Sequence, residues 1–167
     1  MQTLIIETAK KEFEEKLKAK LESLANLIAV KCTNLADQIN LINQIRTEIY
    51  EDLNQFQHAY LLIKSAEYFK TEFPEIDKWE WHPFQTSGDL EPDLRGYYMD
   101  KVLINVEATT AQNPKGKIDT GMKKTLFKLN QHIQGDNYYV IQTDKMLERA
   151  KSKIKNNNLN IRTLVLS

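Results

Sequence analysis

Apolar side chains recur at three- and four-residue spacing through the first part of the chain. Phe13, Leu17, Leu21, Leu24 and Ile28 line one side of a stretch from Thr3 to about Val30, with Lys and Glu on the other faces, which predicts an amphipathic helix of several turns. Thr33 or Asn34 can cap a second helix bearing Leu35, Ile39, Ile42, Ile45, Ile49 and Leu53 near one stripe. The two together read as a helical hairpin that packs on the domain or on a second copy of itself. A third helical pattern runs from about Asn54 to Phe73, with Ala59, Leu62, Ile63, Ala66, Phe69 and Phe73 on its inner side and Pro74 ending it.

After Pro74 the period changes to two. Trp79, Trp81 and Pro83 alternate with Glu80 and His82, which predicts a short strand. Residues 85–89 form a polar loop turning at Gly88, Asp93 to Met99 a second strand, and Asp100 and Lys101 the turn into a third, Val102 to Thr109. In that third strand Val102, Ile104, Val106 and Ala108 point one way, and Leu103, Asn105, Glu107 and Thr109 the other. A loop from Ala111 to Thr120 carries Pro114 and Gly116, and Asp119 or Thr120 can cap the next helix. That helix has Met122, Leu126, Leu129 and Ile133 as its core stripe and stops at Gly135. A strand from Tyr138 to Thr143, a helix capped by Asp144 with Met146, Leu147, Ala150 and Ile154 inward, a turn at Asn156, Asn157 and Asn158, and a strand from Ile161 to Leu166 complete the chain. A meander followed by alternating helices and strands predicts an α/β fold with a mixed central sheet flanked by helices. Residues 1–53 form an N-terminal helical hairpin for accessory or dimerisation use, and residues 54–167 the core.

The composition is that of a globular protein, 41% hydrophobic and 28% charged over 167 residues, which argues against general disorder. No stretch is apolar for the length a membrane span needs, and the start lacks a basic-then-apolar signal layout, so the expectation is a cytoplasmic protein with no membrane partner. Cys32 is the single cysteine, which rules out an intrachain disulfide or a thiolate metal cluster. His58, His82 and His132 lack the close spacing of zinc ligands. Formal charge sums to zero, yet Lys101, Lys115, Lys117, Lys123, Lys124 and Lys128 crowd into the second half, where they can meet phosphates.

The candidate chemistry lies in two carboxylates. Asp93 opens one strand behind the rigid Pro92, and Glu107 sits inside the next, sharing a face with Thr109. Two such acids on neighbouring hairpin arms suit a hard divalent cation, most naturally Mg²⁺ or Mn²⁺, that bridges protein to phosphate.

Pro92-Asp93, then Glu107-Ala108-Thr109 after 13 intervening residues, resembles the signature of the PD-(D/E)XK nuclease superfamily, and the element order from about Asn54 onward is similar to its restriction-endonuclease-like fold. The resemblance implies a Mg²⁺-dependent deoxyribonuclease, of the restriction-endonuclease type, that hydrolyses DNA phosphodiesters. Asp93 and Glu107 would hold the metal together with the main-chain carbonyl of Ala108. Thr109 departs from the pattern, which has lysine there. Family members that carry the lysine on the following helix suggest Lys123 as the catalytic substitute, ahead of Lys124, because Lys123 flanks the stripe of Met122 and Leu126. The family's auxiliary acid on the preceding helix would be Glu67, with Lys115, Lys117, Lys124 and Lys128 contacting nucleic acid, Gln131 and His132 further candidates near the site, and the N-terminal helices clamping DNA or joining two copies. The alternative implied by Thr109 is a catalytically inactive nucleic-acid-binding or protein-interaction module of the same fold.

Overall fold

In the computed structural model, residues 1–83 and 91–166 are described, with only the backbone given for 49–52. The predicted polar loop at 85–89 with Gly88 lies outside the described residues. The elements are β1 (Gln2–Thr3), α1 (Ile6–Ile28), α2 (Leu35–Glu72), β2 (Lys78–Trp81), β3 (Leu94–Tyr98), β4 (Lys101–Ala108), α3 (Lys117–Leu129), β5 (Asp136–Ile141), α4 (Asp144–Asn156) and β6 (Arg162–Val165). They make a mixed α/β protein around one six-stranded sheet whose spatial order follows the sequence. β1 to β4 are antiparallel neighbours, and β5 and β6 add in parallel to β4. Each parallel step needs a crossover, and α3 and α4 supply the two.

The period-two pattern sorts side chains onto two covered faces. Trp79 and Trp81 of β2, Leu94 of β3, Ile104 and Val106 of β4 and Val140 of β5 pack with Leu61, Leu62, Ala66 and Phe69 of α2 and with Ile6 and Ala9 of α1. On the opposite face Tyr139 and Ile141 of β5 meet Met122, Leu126 and Leu129 of α3 and Met146 and Ala150 of α4. Gly96 in β3 sits where a Cβ would come 2.7 Å from Ile76 Cδ1 and 3.1 Å from both Trp79 and Ile104, so a side chain there would have to displace the Ile76, Trp79 and Ile104 side chains packed on this face.

Several boundaries differ from the sequence reading. The chain begins as strand: Leu4 N–H donates to the Trp79 carbonyl at 2.9 Å, and α1 starts only at Ile6. The second and third predicted helices are one 38-residue helix capped by the Asn34 side chain on Asp37 N–H. It runs unbroken past residues 53 and 54, where the sequence reading joined hairpin to core, because Leu53-Asn54-Gln55 holds no Gly or Pro to stop it. Of the described residues in the predicted stripe, Ile45 is half-buried, while Leu35, Ile39, Ile42 and Leu53 are 72%, 51%, 60% and 45% exposed. Helix α3 is capped by Gly116 rather than Asp119 or Thr120. Asp119 instead accepts from Arg149 at 2.6 Å and from Lys153 at 3.1 Å, fastening α3 to α4. Helix α4 takes its cap from Thr143, whose hydroxyl accepts the Met146 N–H, and not from Asp144.

Helix α3 ends at Leu129, with Asn130 as its C-cap, so Gly135 does not terminate it and Ile133, expected in its core stripe, is 94% exposed. Gly135 serves the approach to β5. Its φ is +77°, and a Cβ there would lie 2.7 Å from the Leu103 carbonyl, a backbone contact that cannot give way. Gly135→Ala is expected to lower stability by more than about 1 kcal/mol, read as a lower urea midpoint with an unchanged slope; an unshifted midpoint would show that this loop repacks at no cost. Among the described residues no helix is long and apolar enough to cross a membrane.

Candidate active site

The register of β3 and β4 brings the two acids together. Leu94 pairs with Val106 and Arg95 with Asn105, so one step further along the ladder Asp93 stands across from Glu107. The same row continues on one side to Tyr139, which pairs with Glu107, and on the other to His82, whose N–H donates to the Asp93 carbonyl at 2.8 Å. Asp93 and Glu107 are 3% and 4% exposed. Buried carboxylates are uncommon unless something holds them.

Asp93 is held from two sides. Its Oδ2 accepts the Ala108 N–H at 2.8 Å and lies 3.2 Å from Nε2 of His58, which reaches it from α2. Burial by itself would depress the His58 imidazole, but the hydrogen bond to Asp93 and its charge outweigh that and hold the imidazole above its ordinary value. Glu107 is held by α3: its Oε1 forms an ion pair with Nζ of Lys128, and the same ammonium donates to the Glu91 carbonyl at 3.2 Å. Even so, burial and then the negative charge of Asp93 push the Glu107 carboxyl up to about 8, against the opposing pull of Lys128 and His58. The two acids therefore repel each other in a desolvated pocket, and added positive charge between them would relieve that repulsion.

Thr109 does not stand in for the lysine. Its hydroxyl accepts from the Ala111 N–H at 3.3 Å, and it shares a hydrogen bond with Tyr139. The phenol of Tyr139 is pushed well up by burial and by the charges of Glu107 and Asp93, so it stays protonated beside the acids.

Of the residues singled out in the sequence, the structure brings Asp93, Glu107, Ala108 and Lys128 together. Lys123 lies elsewhere, its Nζ over the Phe127 ring at 5.6 Å from the centroid. The last turn of α3, through Lys128, meets Glu107. Glu67 is also away from the acids, bonded to Lys10 at 2.7 Å; α2 contributes His58 instead, nine residues earlier in the chain. Lys115, Lys117 and Lys124 are exposed around the beginning of α3. Gln131 is exposed beyond the end of α3, and the His132 carbonyl accepts from Asn137 at 3.0 Å. Sequence reasoning passed over His58 as a site residue and gave Lys128 only a phosphate-contacting role. His82 was likewise missed, although its Nε2 is buried with no hydrogen-bond partner among the described residues.

The donor set fits a hard cation in a restricted way. Among the described residues no three His, Cys, Asp or Glu side chains are gathered as a ready-made metal site. An ion here would rest on the two carboxylates, with main-chain oxygen, water and phosphate completing its shell, which is how Mg²⁺ is commonly held. No family model, curated protein or solved structure matches this chain.

Proposed function

We propose that this chain is a metal-dependent nuclease of the restriction-endonuclease-like fold, hydrolysing DNA phosphodiester bonds with Mg²⁺ or Mn²⁺ held by Asp93 and Glu107. The order of α2, β2, β3, β4, α3 and β5 is that of the core which the sequence resemblance implies. The observation that carries the reading is the pair of buried acids on facing strand positions, where burial and then the charge of Asp93 push the Glu107 carboxyl up to about 8. A purely structural sheet gains nothing from such a pair, since replacing both by apolar groups would remove the repulsion and the desolvation cost together.

A divalent cation bound there would supply Lewis-acid stabilisation of a phosphodiester and acidify bound water. The chain's own residues do the rest. Asp93 is fixed in orientation through its Oδ2 by the Ala108 N–H and His58, so its Oδ1 is presented without a search among rotamers. Lys128 fills the role proposed from sequence for Lys123. Its ammonium, lodged between Glu107 and the Glu91 carbonyl, brings a positive charge to the acids and can turn to a phosphate oxygen once Glu107 has another partner. Lys115, Lys117 and Lys124, exposed at the start of α3, offer phosphate contacts.

Supercoiled plasmid incubated with Mg²⁺, with Mn²⁺ and with a chelator tests the reading. Nicking by the parent chain in either metal, lost with chelator and in the Asp93→Asn, Glu107→Gln double variant, is the expected result. The bonding of Thr109 to Tyr139 and Ala111 favours one other reading, a non-catalytic DNA-binding or protein-interaction module. That reading gains if the parent neither nicks DNA nor binds Mn²⁺ through these acids.

A further inference from the structure

Helices α1 and α2 form an arm that leaves the core: among the described residues none between 10 and 58 is buried. Lys20 of α1 bonds Glu48 of α2 at 2.9 Å, and Phe13 meets Phe56 with ring centroids 5.7 Å apart, so the helices run antiparallel. Their inward residues are the half-buried Leu17 and Leu24 on α1 and Leu41 and Ile45 on α2.

With about 100° of turn per residue, Leu21 and Ile28 lie roughly 30–50° around α1 from the line through Leu17 and Leu24. Leu35, Ile39, Ile42 and Leu53 lie roughly 70–140° around α2 from its own, in the same winding sense. In an antiparallel pair one winding sense turns both helices toward the same side. The six residues therefore share one face of the arm, with exposures from 45% to 72%. Monomeric proteins seldom leave an apolar surface of this extent uncovered.

We propose that this face is an interface between two copies of the chain, the arms packing antiparallel into a four-helix bundle. Two features of the face select a second copy. First, the face matches itself about a twofold axis. Ile28 and Ile42 sit at one level, and Leu35 lies two turns from Ile42 toward the tip, whereas Leu21 lies two turns from Ile28 toward the base. An axis lying in the face at the Ile28 and Ile42 level brings Leu35 of each copy to the level of Leu21 of the other across the bundle centre, and sets the two Ile42 side chains at the axis, as an isologous contact requires. Second, the area suffices. The α2 stretch from Leu35 to Leu53 is roughly 28 Å long and a two-helix face about 20 Å wide, giving roughly 1,100 Å² over two copies, just above the ~1,000 Å² of a specific interface. On α2, Leu35, Ile39, Ile42 and Leu53 fall at the 3–4 spacing of a bundle seam, interrupted by Arg46.

Sedimentation equilibrium of the full chain, with and without Ile42→Glu, tests this. The parent is expected to sediment at twice the chain mass at high micromolar concentration, and the variant, whose substitution is at an exposed site and leaves circular dichroism unchanged, at the single mass until at least about tenfold higher concentration. As a second arm, Ile42→Cys in a Cys32→Ser background is expected to form a disulfide between copies on mild oxidation. A parent that remains monomeric, a dimer that survives Ile42→Glu, or a dimer that Ile42→Cys fails to link would overturn the proposal. Neither readout involves nucleic acid or metal, so the outcome is independent of the nuclease reading.

Discussion

Glu107→Gln is expected to abolish plasmid nicking, by at least about 10³-fold, while producing a protein that melts higher than the parent at alkaline pH. The two effects share one cause. Folding raises the Glu107 carboxyl from an ordinary 4.5 to about 8, through burial first and the charge of Asp93 second. A raised acid prefers its proton in the folded state, so its contribution to stability is complete below the unfolded value of 4.5 and is lost as pH climbs to about 8. His58 works in the same direction: held above its ordinary 6.5, it favours the folded state below that value and loses its contribution as pH rises past the raised one. A neutral amide at 107 keeps an oxygen for Lys128 and removes the repulsion with Asp93. The gain above pH 8 is on the order of 1–2 kcal/mol, or about 3–6 °C in melting temperature, and it vanishes below pH 4.5. Differential scanning fluorimetry across that range, beside the nicking assay, measures both. An inactive variant with no alkaline gain in stability would mean that the acids do not repel as their burial requires, and an active one would remove Glu107 from the mechanism.

The second large effect separates two lysines. Lys128→Ala is expected to cut nicking by roughly 10²–10⁴-fold, the range a positioned charged group supplies, whereas Lys123→Ala should leave the rate within about twofold of the parent, since a surface charge over an aromatic ring contributes little. Lys128→Ala also strips Glu107 of its cation, so its stability should fall most steeply toward high pH, where the acid is charged and unpaired. Single-turnover rates for the two variants decide the matter. Equal losses in both, or a loss confined to Lys123→Ala, would return the catalytic lysine to the middle of α3.

The sheet and its two acids were legible because period-two alternation is a local property. Glu107 sits between Val106 and Ala108 with no ambiguity about which face it takes, and Asp93 precedes a strand whose partner is the next one along. The lysine was not legible, because it depends on where α3 starts relative to the sheet edge. The residues from 109 to 116 carry no signal for how far the connection travels, and a displacement of one and a half turns exchanges Lys123 for Lys128. His58 escaped for a related reason. Its neighbours in the sequence are polar, and its role appears only when α2 is laid across the sheet with Ala59, Leu62 and Ala66 inward, which turns the adjacent position toward the Asp93 end. The long arm was legible as a pair of helices, but not in what covers them. The Leu35, Ile39 and Ile42 stripe has the spacing of a packed helix face, and periodicity reports that a face is apolar without reporting what covers it. Continuity of α2 was readable from the absence of Gly and Pro near residue 53.

The anomalous scattering of Mn²⁺ in a crystal of the full chain tests most directly whether Asp93 and Glu107 share an ion. A peak is expected between the two carboxylates at the ends of β3 and β4, within coordination distance of both, with Lys128 moved off Glu107. A map with no peak at that position in millimolar Mn²⁺, or with Lys128 still seated on Glu107 and the ion bound elsewhere, would contradict it.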